Sequence, residues 1–374
     1  MSRNIVIFDH VGCKAGMDYY SSSLAKGLYK QACKTIIYSN FVGIEPEKIS
    51  YKTFYEGHTK NNALGKFFKF IRATVKASLD ARKEKTYLVI LHVFSANAIT
   101  LLLVAIPKLL GLKTAIISHD VSSFADNDNR LVQNLIYSTL SDFIIVHNHF
   151  SYNTLFQNVQ IKDPGKVAII KHGGYLDHIG QKPDKKKLRH ELGLKEDGKY
   201  ILFFGQIKKV KGLDILLEAM GKVSNDIKLI IAGKPWKDDF IFYDELIDKH
   251  ALQNRVIKMI RFIEDGEREK LFFAVDVNVL PYRIIYQSGV LLMAMSHGLP
   301  VIASDLPANK EIIEHKKNGL LFQSENADNL ASQIDIFFKD DQLQNKMRQN
   351  ARATIENEYS WDDIAKAYMH LLLR

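Results

Sequence analysis

The sequence predicts an α/β protein built from two doubly wound domains, and three observations carry that expectation. The chain has 374 residues, more than one ordinary core supports. Short apolar runs alternate with helix-like segments, and this alternation occurs twice. Between the two lies GQKPDKKKLRHELGLKEDGK at 180–199, polar and glycine-bounded, which reads as a linker with a short helix.

The first alternation places strands at 5–8, 35–38, 87–93, 114–118, 143–146 and 167–170, with a helix over 21–31 and a long one near 60–85. The second places strands at 200–204, 228–232, 256–259, 277–280, 301–303 and 319–322. Short apolar strands separated by helices pair in parallel through right-handed crossovers. Residues 98–112, AITLLLVAIPKLLGL, are broken by Pro107 and Lys108 and are shorter than the roughly 20 residues of a membrane span, so they read as a buried helix. Residues 361–373 read as an amphipathic helix. The domain expectation is 1–178 and 179–356, with 357–374 packing back toward the first domain.

Hydrophobic residues make up 47% of the chain and charged residues 25%, values of a soluble globular protein. Cys13 and Cys33 give no disulfide framework, and MSRNIVIFDH enters a strand directly, so a cytoplasmic protein without a signal peptide is expected. The net charge of +9 asks for an anionic partner. Nucleic acid is the poorer explanation, because no recognition motif or basic–aromatic platform appears. No metal site is evident: His147 and His149 alternate in VHNHF without a third ligand.

In open α/β sheets ligands bind beyond the carboxyl ends of the strands. Three loops there have the residues to hold phosphate. In HVGCKAGMDYY, Gly12 and Gly16 allow close backbone approach ahead of a helix. In FFGQIKKVKGLDILLEAM, Gly205 ends a strand, and Lys208, Lys209 and Lys211 crowd three ammonium groups that a diphosphate would neutralise. In YRIIYQSGVLLMAMSHG, Gln287 and Ser288 precede a helix whose first amides, those of Gly289, Val290 and Leu291, are free for an anion, and Arg283 offers a forked contact.

These stretches, with IIAGKP, FAVDVNVLPY and HGLPVIASDLPANKEIIEHKKNGLLF, resemble retaining glycosyltransferases of the GT-B fold, family 4 (glycosyl transferases group 1). The resemblance is strongest from 200 to 322. It implies two Rossmann-like domains facing a central cleft. It also implies transfer of a hexosyl group, with retention, from a nucleotide-diphosphate sugar to an acceptor hydroxyl, without cofactor or metal. By the family pattern Lys211 steadies the diphosphate, while Gln206 stands where the family often has arginine. AIISHDVSSF matches the histidine loop of the first domain and assigns His119, with Asp120 and His92 as weaker candidates. The catalytic set is therefore His119, Lys211 and Arg283. The family's two glutamates fall on Ile285 and Met293, which cannot accept a hydrogen bond, so Gln287 and Glu311 are the nearby groups for the ribose. Those two positions also keep open a non-catalytic partner subunit or glycan-binding protein. A nucleotide-sugar epimerase would need a carboxylate pair that the sequence does not offer.

Residues 60–85, KNNALGKFFKFIRATVKASLDARKEK, hold eight basic and two acidic residues. Leu64, Phe67, Phe68, Ile71, Val75 and Leu79 share one helical face, with Lys66, Lys69, Arg72, Lys76 and Lys83 along its flank. Such a helix packs into a core or lies on an anionic membrane. The membrane alternative places the protein at the inner face of the plasma membrane with a sugar or lipid-linked oligosaccharide acceptor, in capsule, exopolysaccharide or O-antigen synthesis.

Overall fold

The computed structural model describes residues 4–12, 16–41, 49–55, 63–122, 129–236 and 239–372. Cys13, residues 60–62 of the basic segment and Leu373 lie outside the described residues. The chain divides into two compact units, Met1–Gly173 with Tyr359–Arg374, and Gly174–Glu358.

The first unit is a seven-stranded parallel sheet of β1 (Asn4–Asp9), β2 (Lys34–Ser39), β3 (Ser50–Thr53), β4 (Leu88–Val93), β5 (Thr114–Ser118), β6 (Phe143–Val146) and β7 (Val167–Ile169). The order is β3-β2-β1-β4-β5-β6-β7. Ile5 pairs with Thr35 on one side and Leu88 on the other. Ile5, Ile7, Leu88, Ile90, Ala115 and Ile117 are fully buried, because helices cover the parallel sheet on both faces. The polar edge strand β3 has no apolar signature and was not expected from the sequence.

The second unit is a six-stranded parallel sheet of β8 (Lys199–Phe204), β9 (Ile227–Ala232), β10 (Val256–Met259), β11 (Val277–Leu280), β12 (Val301–Ser304) and β13 (Leu320–Phe322), ordered β10-β9-β8-β11-β12-β13. In both sheets the order reverses beside the first strand, between β1 and β4 and between β8 and β11. These are the switch points where helices leave on opposite faces and ligands dock.

Three helices differ from their sequence expectation. The Lys185–Glu191 helix is no free linker: it belongs to the second unit, where buried Arg189 forks onto Asp276 at 3.0 and 2.9 Å. Asp276 also accepts from the Tyr200 amide at 2.8 Å, so removing this carboxylate would strand a buried guanidinium at a cost of about 3–5 kcal/mol. The Ala98–Leu109 helix is buried on one side only, through Thr100, Leu103, Val104 and Pro107, while Ile99 and Leu109 are exposed. The Ala63–Lys83 helix packs its small residues, Thr74, Ala77, Ser78 and Ala81, into the unit. Leu64 and Phe68 of its large apolar stripe are 63% and 60% exposed. Leu79 is also exposed, whereas Phe67, Ile71 and Val75 are half-buried, so the bulky stripe is only partly covered.

The closing helix, Trp361–Leu372, packs on Met17–Lys30 within the first unit. The Tyr20 and Tyr368 hydroxyls meet at 3.1 Å, and Lys30 pairs with Asp362 at 2.7 Å.

Candidate functional site

The second unit gathers its basic loops at the switch point. Gly205 follows β8, and the chain beyond it stays paired to the exit of β9: the Ile207 amide donates to the Lys234 carbonyl at 3.0 Å and the Trp236 amide to the Ile207 carbonyl at 3.1 Å. Lys208 Nζ lies 4.3 Å above the Trp236 ring. A 3-10 turn, Lys209–Lys211, then leads to Gly212 and the Leu213–Met220 helix. Gly212 has φ 68, and a Cβ there would lie 1.8 Å from the Pro281 carbonyl oxygen. Only glycine lets the lysine turn lie against the exit of β11. The Arg283 amide completes the junction, donating to the Val210 carbonyl at 2.9 Å.

Lys211 Nζ sits 3.8 Å from the ring centroid of Tyr282. Burial pushes the Tyr282 phenol up to about 12, so the ring faces the ammonium as a neutral π surface. Arg283 is held differently from the expectation of a fork aimed at phosphate. Its Nη1 and Nη2 donate to the two carboxylate oxygens of Asp214 at 2.9 and 2.7 Å, and Nη1 also reaches the Lys209 carbonyl at 2.8 Å. Asp214 stands in the first turn of the helix after the lysines, where a planar guanidinium and a carboxylate match face to face. The pair ties the β8 and β11 loops together. The sequence signal was an acid two residues after KG.

At the start of the Gly289–Ser296 helix, Ser288 is the N-cap, and its Oγ accepts from the Leu291 amide at 3.1 Å. The Leu291 amide is therefore satisfied inside the protein, and the amides of Gly289 and Val290 are the ones that the first turn leaves for an anion. Gln206 is exposed and Gln287 half-buried. Ile285 and Met293 are buried. Glu311 is exposed behind the short Pro307–Lys310 helix that follows β12. The structure thus joins Lys208, Lys211, Arg283, Ser288, Gly289 and Val290 on the adjacent exits of β8 and β11, with Glu311 one strand further along.

Gly12 and Gly16 belong to the first unit, after β1. The Gly12 amide donates to Asp9 Oδ1 at 2.7 Å, and Gly16 precedes the Met17–Lys30 helix in a left-handed conformation. His119 follows β5, and the Phe94 ring stacks on it at 4.6 Å. It belongs to a cluster that sequence reasoning missed. His92, His119, His147 and His172 stand at or just past the ends of β4, β5, β6 and β7, all buried, around the Tyr20 ring. His147 and His149 do not share a site: His147 turns into this cluster, whereas Asn148 caps the His149–Asn158 helix and His149 is exposed at its start. Burial, and then the neighbouring imidazoles, hold His119 well below its usual range, His92 near about 3 and His172 near about 3; burial alone lowers His147 to about 4. The four rings are neutral at physiological pH. Among the described residues no three or more His, Cys, Asp or Glu side chains are arranged to hold a metal ion. The sequence signal was one histidine at the carboxyl end of each of four successive strands.

The second unit is doubly wound, and its switch point carries lysines and a serine-capped helix start, the kind of place where such folds take ligands. Residues 184–354, inside it, match the family model for Glycosyl transferases group 1. The chain is 31% identical over 185 residues to an uncharacterized glycosyltransferase of Methanocaldococcus jannaschii, covering 49% of this chain and 47% of that protein. It spans about half the length of the curated relatives it matches. Sucrose-phosphate synthase from Thermosynechococcus elongatus superposes with a TM-score of 0.79 at 18% identity, over 99% of this chain and 98% of that one. Anabaena HepE in complex with UDP-glucose does so at 0.78 and 19%, over 99% of each chain. The architecture is the GT-B fold, two Rossmann-like α/β units.

Proposed function

We propose that this protein is a retaining glycosyltransferase of family 4. It moves a hexosyl group from a nucleotide-diphosphate sugar to an acceptor hydroxyl in the assembly of a cell-surface polysaccharide. The observation that carries this reading is the lysine turn 208–211 bonded to Arg283 at the exit of β11, ahead of the capped helix start at Ser288, inside a segment that matches a glycosyltransferase family. The complex of Anabaena HepE with UDP-glucose supports a nucleotide-sugar donor.

In this reading Lys211, Lys208 and the amides of Gly289 and Val290 absorb the charge that grows on the departing diphosphate. Arg283 acts through Asp214 to hold the loop rather than touching phosphate. The sugar passes through an oxocarbenium-like state, and the acceptor hydroxyl attacks the face the diphosphate leaves, giving its proton to the departing phosphate oxygen. No protein base and no metal ion is required. Gln287 and Glu311 remain the groups proposed for the ribose, since buried Ile285 and Met293 cannot contact it by hydrogen bonds.

The acceptor side supports a cytoplasmic protein docked at the membrane's inner face. The exposed stripe of the Ala63–Lys83 helix lies beside Lys66, Arg72 and Lys76. The acids Asp80 and Glu84 pair instead with Lys52, at 2.6 and 2.8 Å. An anionic bilayer complements such a surface, and a lipid-linked oligosaccharide would be presented there. No described helix is long and apolar enough to cross a membrane.

Ile285 and Met293 favour a second reading, a non-catalytic partner subunit. Thermal unfolding with UDP-, GDP- and ADP-sugars, followed by nucleotide release in the presence of lipid extracts, separates the two. Protection with release supports the transferase. No protection by any nucleotide sugar overturns the transferase and favours the partner subunit.

A further inference from the structure

Asp9, Ser21, His92 and His119 form one continuous hydrogen-bonded line inside the first unit. The Asp9 carboxylate accepts the Gly12 amide on Oδ1 at 2.7 Å and the Ser21 hydroxyl on Oδ2 at 2.8 Å. Ser21 Oγ lies 3.2 Å from His92 Nε2, and His92 Nδ1 lies 2.9 Å from His119 Nε2. Tyr20 stands against both rings and Phe94 lies flat on His119, so neither imidazole has room to turn.

A hydroxyl has one proton. Ser21 gives its proton to Asp9 and therefore meets His92 as an acceptor. The proton of neutral His92 must then be on Nε2, which leaves its Nδ1 bare. A bare nitrogen at 2.9 Å requires a donor opposite, so His119 carries its proton on Nε2. His119 Nδ1 is left with a lone pair, and 9% of the residue's surface stays exposed.

We propose that Asp9 and Ser21, acting through His92, are positioning residues that fix the tautomer of His119, so that its Nδ1 accepts a hydrogen bond from a ligand hydroxyl. A neutral ring with a bare nitrogen repels phosphate oxygens and receives hydroxyl protons. His119 is therefore a sugar-hydroxyl acceptor and takes no part in holding the diphosphate. The tautomer stands on this geometry with Asp9 ionised: burial raises its carboxyl, and the hydrogen bonds from the Gly12 amide and the Ser21 hydroxyl oppose that shift. Only the identification of the hydroxyl as a sugar's rests on the transferase reading. One proton sets the direction of the line: with a donor in place of the Asp9 carboxylate, Ser21, His92 and His119 all reverse.

The test is a long-range 1H–15N correlation spectrum of the full chain labelled with 15N-histidine at about pH 7.5, with resonances assigned by His92→Gln and His119→Gln. Both rings are expected as the Nε2–H tautomer. Asp9→Asn keeps an oxygen for the Gly12 amide and presents an N–H to Ser21, so it should turn both rings to Nδ1–H. In Ser21→Ala the line is cut, and adding Asp9→Asn should leave the His119 tautomer as it is in Ser21→Ala alone. A wild-type His119 protonated on Nδ1 overturns the proposal, and so does a folded Asp9→Asn protein with unchanged tautomers. If Asp9→Asn does not fold, the wild-type spectrum decides. No nucleotide sugar enters the measurement, so its failure is distinct from failure of the transferase reading.

Discussion

Mild acid should weaken the first unit steeply. His92, His147 and His172 titrate near about 3, 4 and 3 when folded, chiefly because burial disfavours the imidazolium. In the unfolded chain each returns to roughly 6.5. Below that value the unfolded state binds protons that the folded state refuses, so the stabilisation is complete above about 6.5 and is lost as pH falls toward the folded values. One unit below the unfolded pKa, each histidine costs about 1.4 kcal/mol, so the three together remove about 4 kcal/mol between pH 7.5 and 5.5. That is a large share of the roughly 5–15 kcal/mol that holds a domain. Trp361, whose ring centroid lies 6.2 Å from that of His172, reports on this unit, and Trp236→Phe removes the chain's other tryptophan. Urea unfolding followed by Trp361 emission should show a markedly lower midpoint at pH 5.5, and His147→Gln should remove about 1.4 kcal/mol of the difference between the two pH values. The same midpoint and m-value at both pH values would refute the reasoning that these rings are buried and neutral.

Gly212→Ala should distort the junction, since its Cβ would lie 1.8 Å from the Pro281 carbonyl in a left-handed backbone; a loss of about 3 kcal/mol or more is expected in urea titration of the second unit. Ser288→Ala removes the cap on the Leu291 amide and should cost about 1 kcal/mol, lowering the melting temperature of that unit by roughly 2–4 °C in calorimetry. Sedimentation with anionic and neutral vesicles should show binding to the anionic ones only, weakened at high salt and by charge reversal at Lys66 and Arg72; equal, negligible binding to both would remove the membrane surface.

The alternation of apolar runs made both sheets legible, because parallel strands buried on two faces read as continuous apolar segments. β3 was hidden, since its SYKT is a half-buried polar edge. The basic loops after β8 and β11 were legible as residue types, but not their pairings: that Arg283 faces Asp214 depends on the adjacency of β8 and β11. Helical spacing showed the stripe of the Ala63–Lys83 helix without showing which face packs. Its small residues Thr74, Ala77, Ser78 and Ala81 are the buried ones, and Leu64, Phe68 and Leu79 of the stripe are exposed. The histidine cluster is built by four strands lying side by side, so residues far apart in the chain acquire one environment that no local window contains.

Isothermal titration tests directly whether the lysine turn holds a diphosphate. UDP, GDP and ADP are titrated into the wild-type protein and into Lys211→Ala. The nucleotide that binds tightest should lose about tenfold or more in affinity, the worth of one charge-assisted hydrogen bond of roughly 1.5–3 kcal/mol. Equal affinity in the two proteins would contradict the claim.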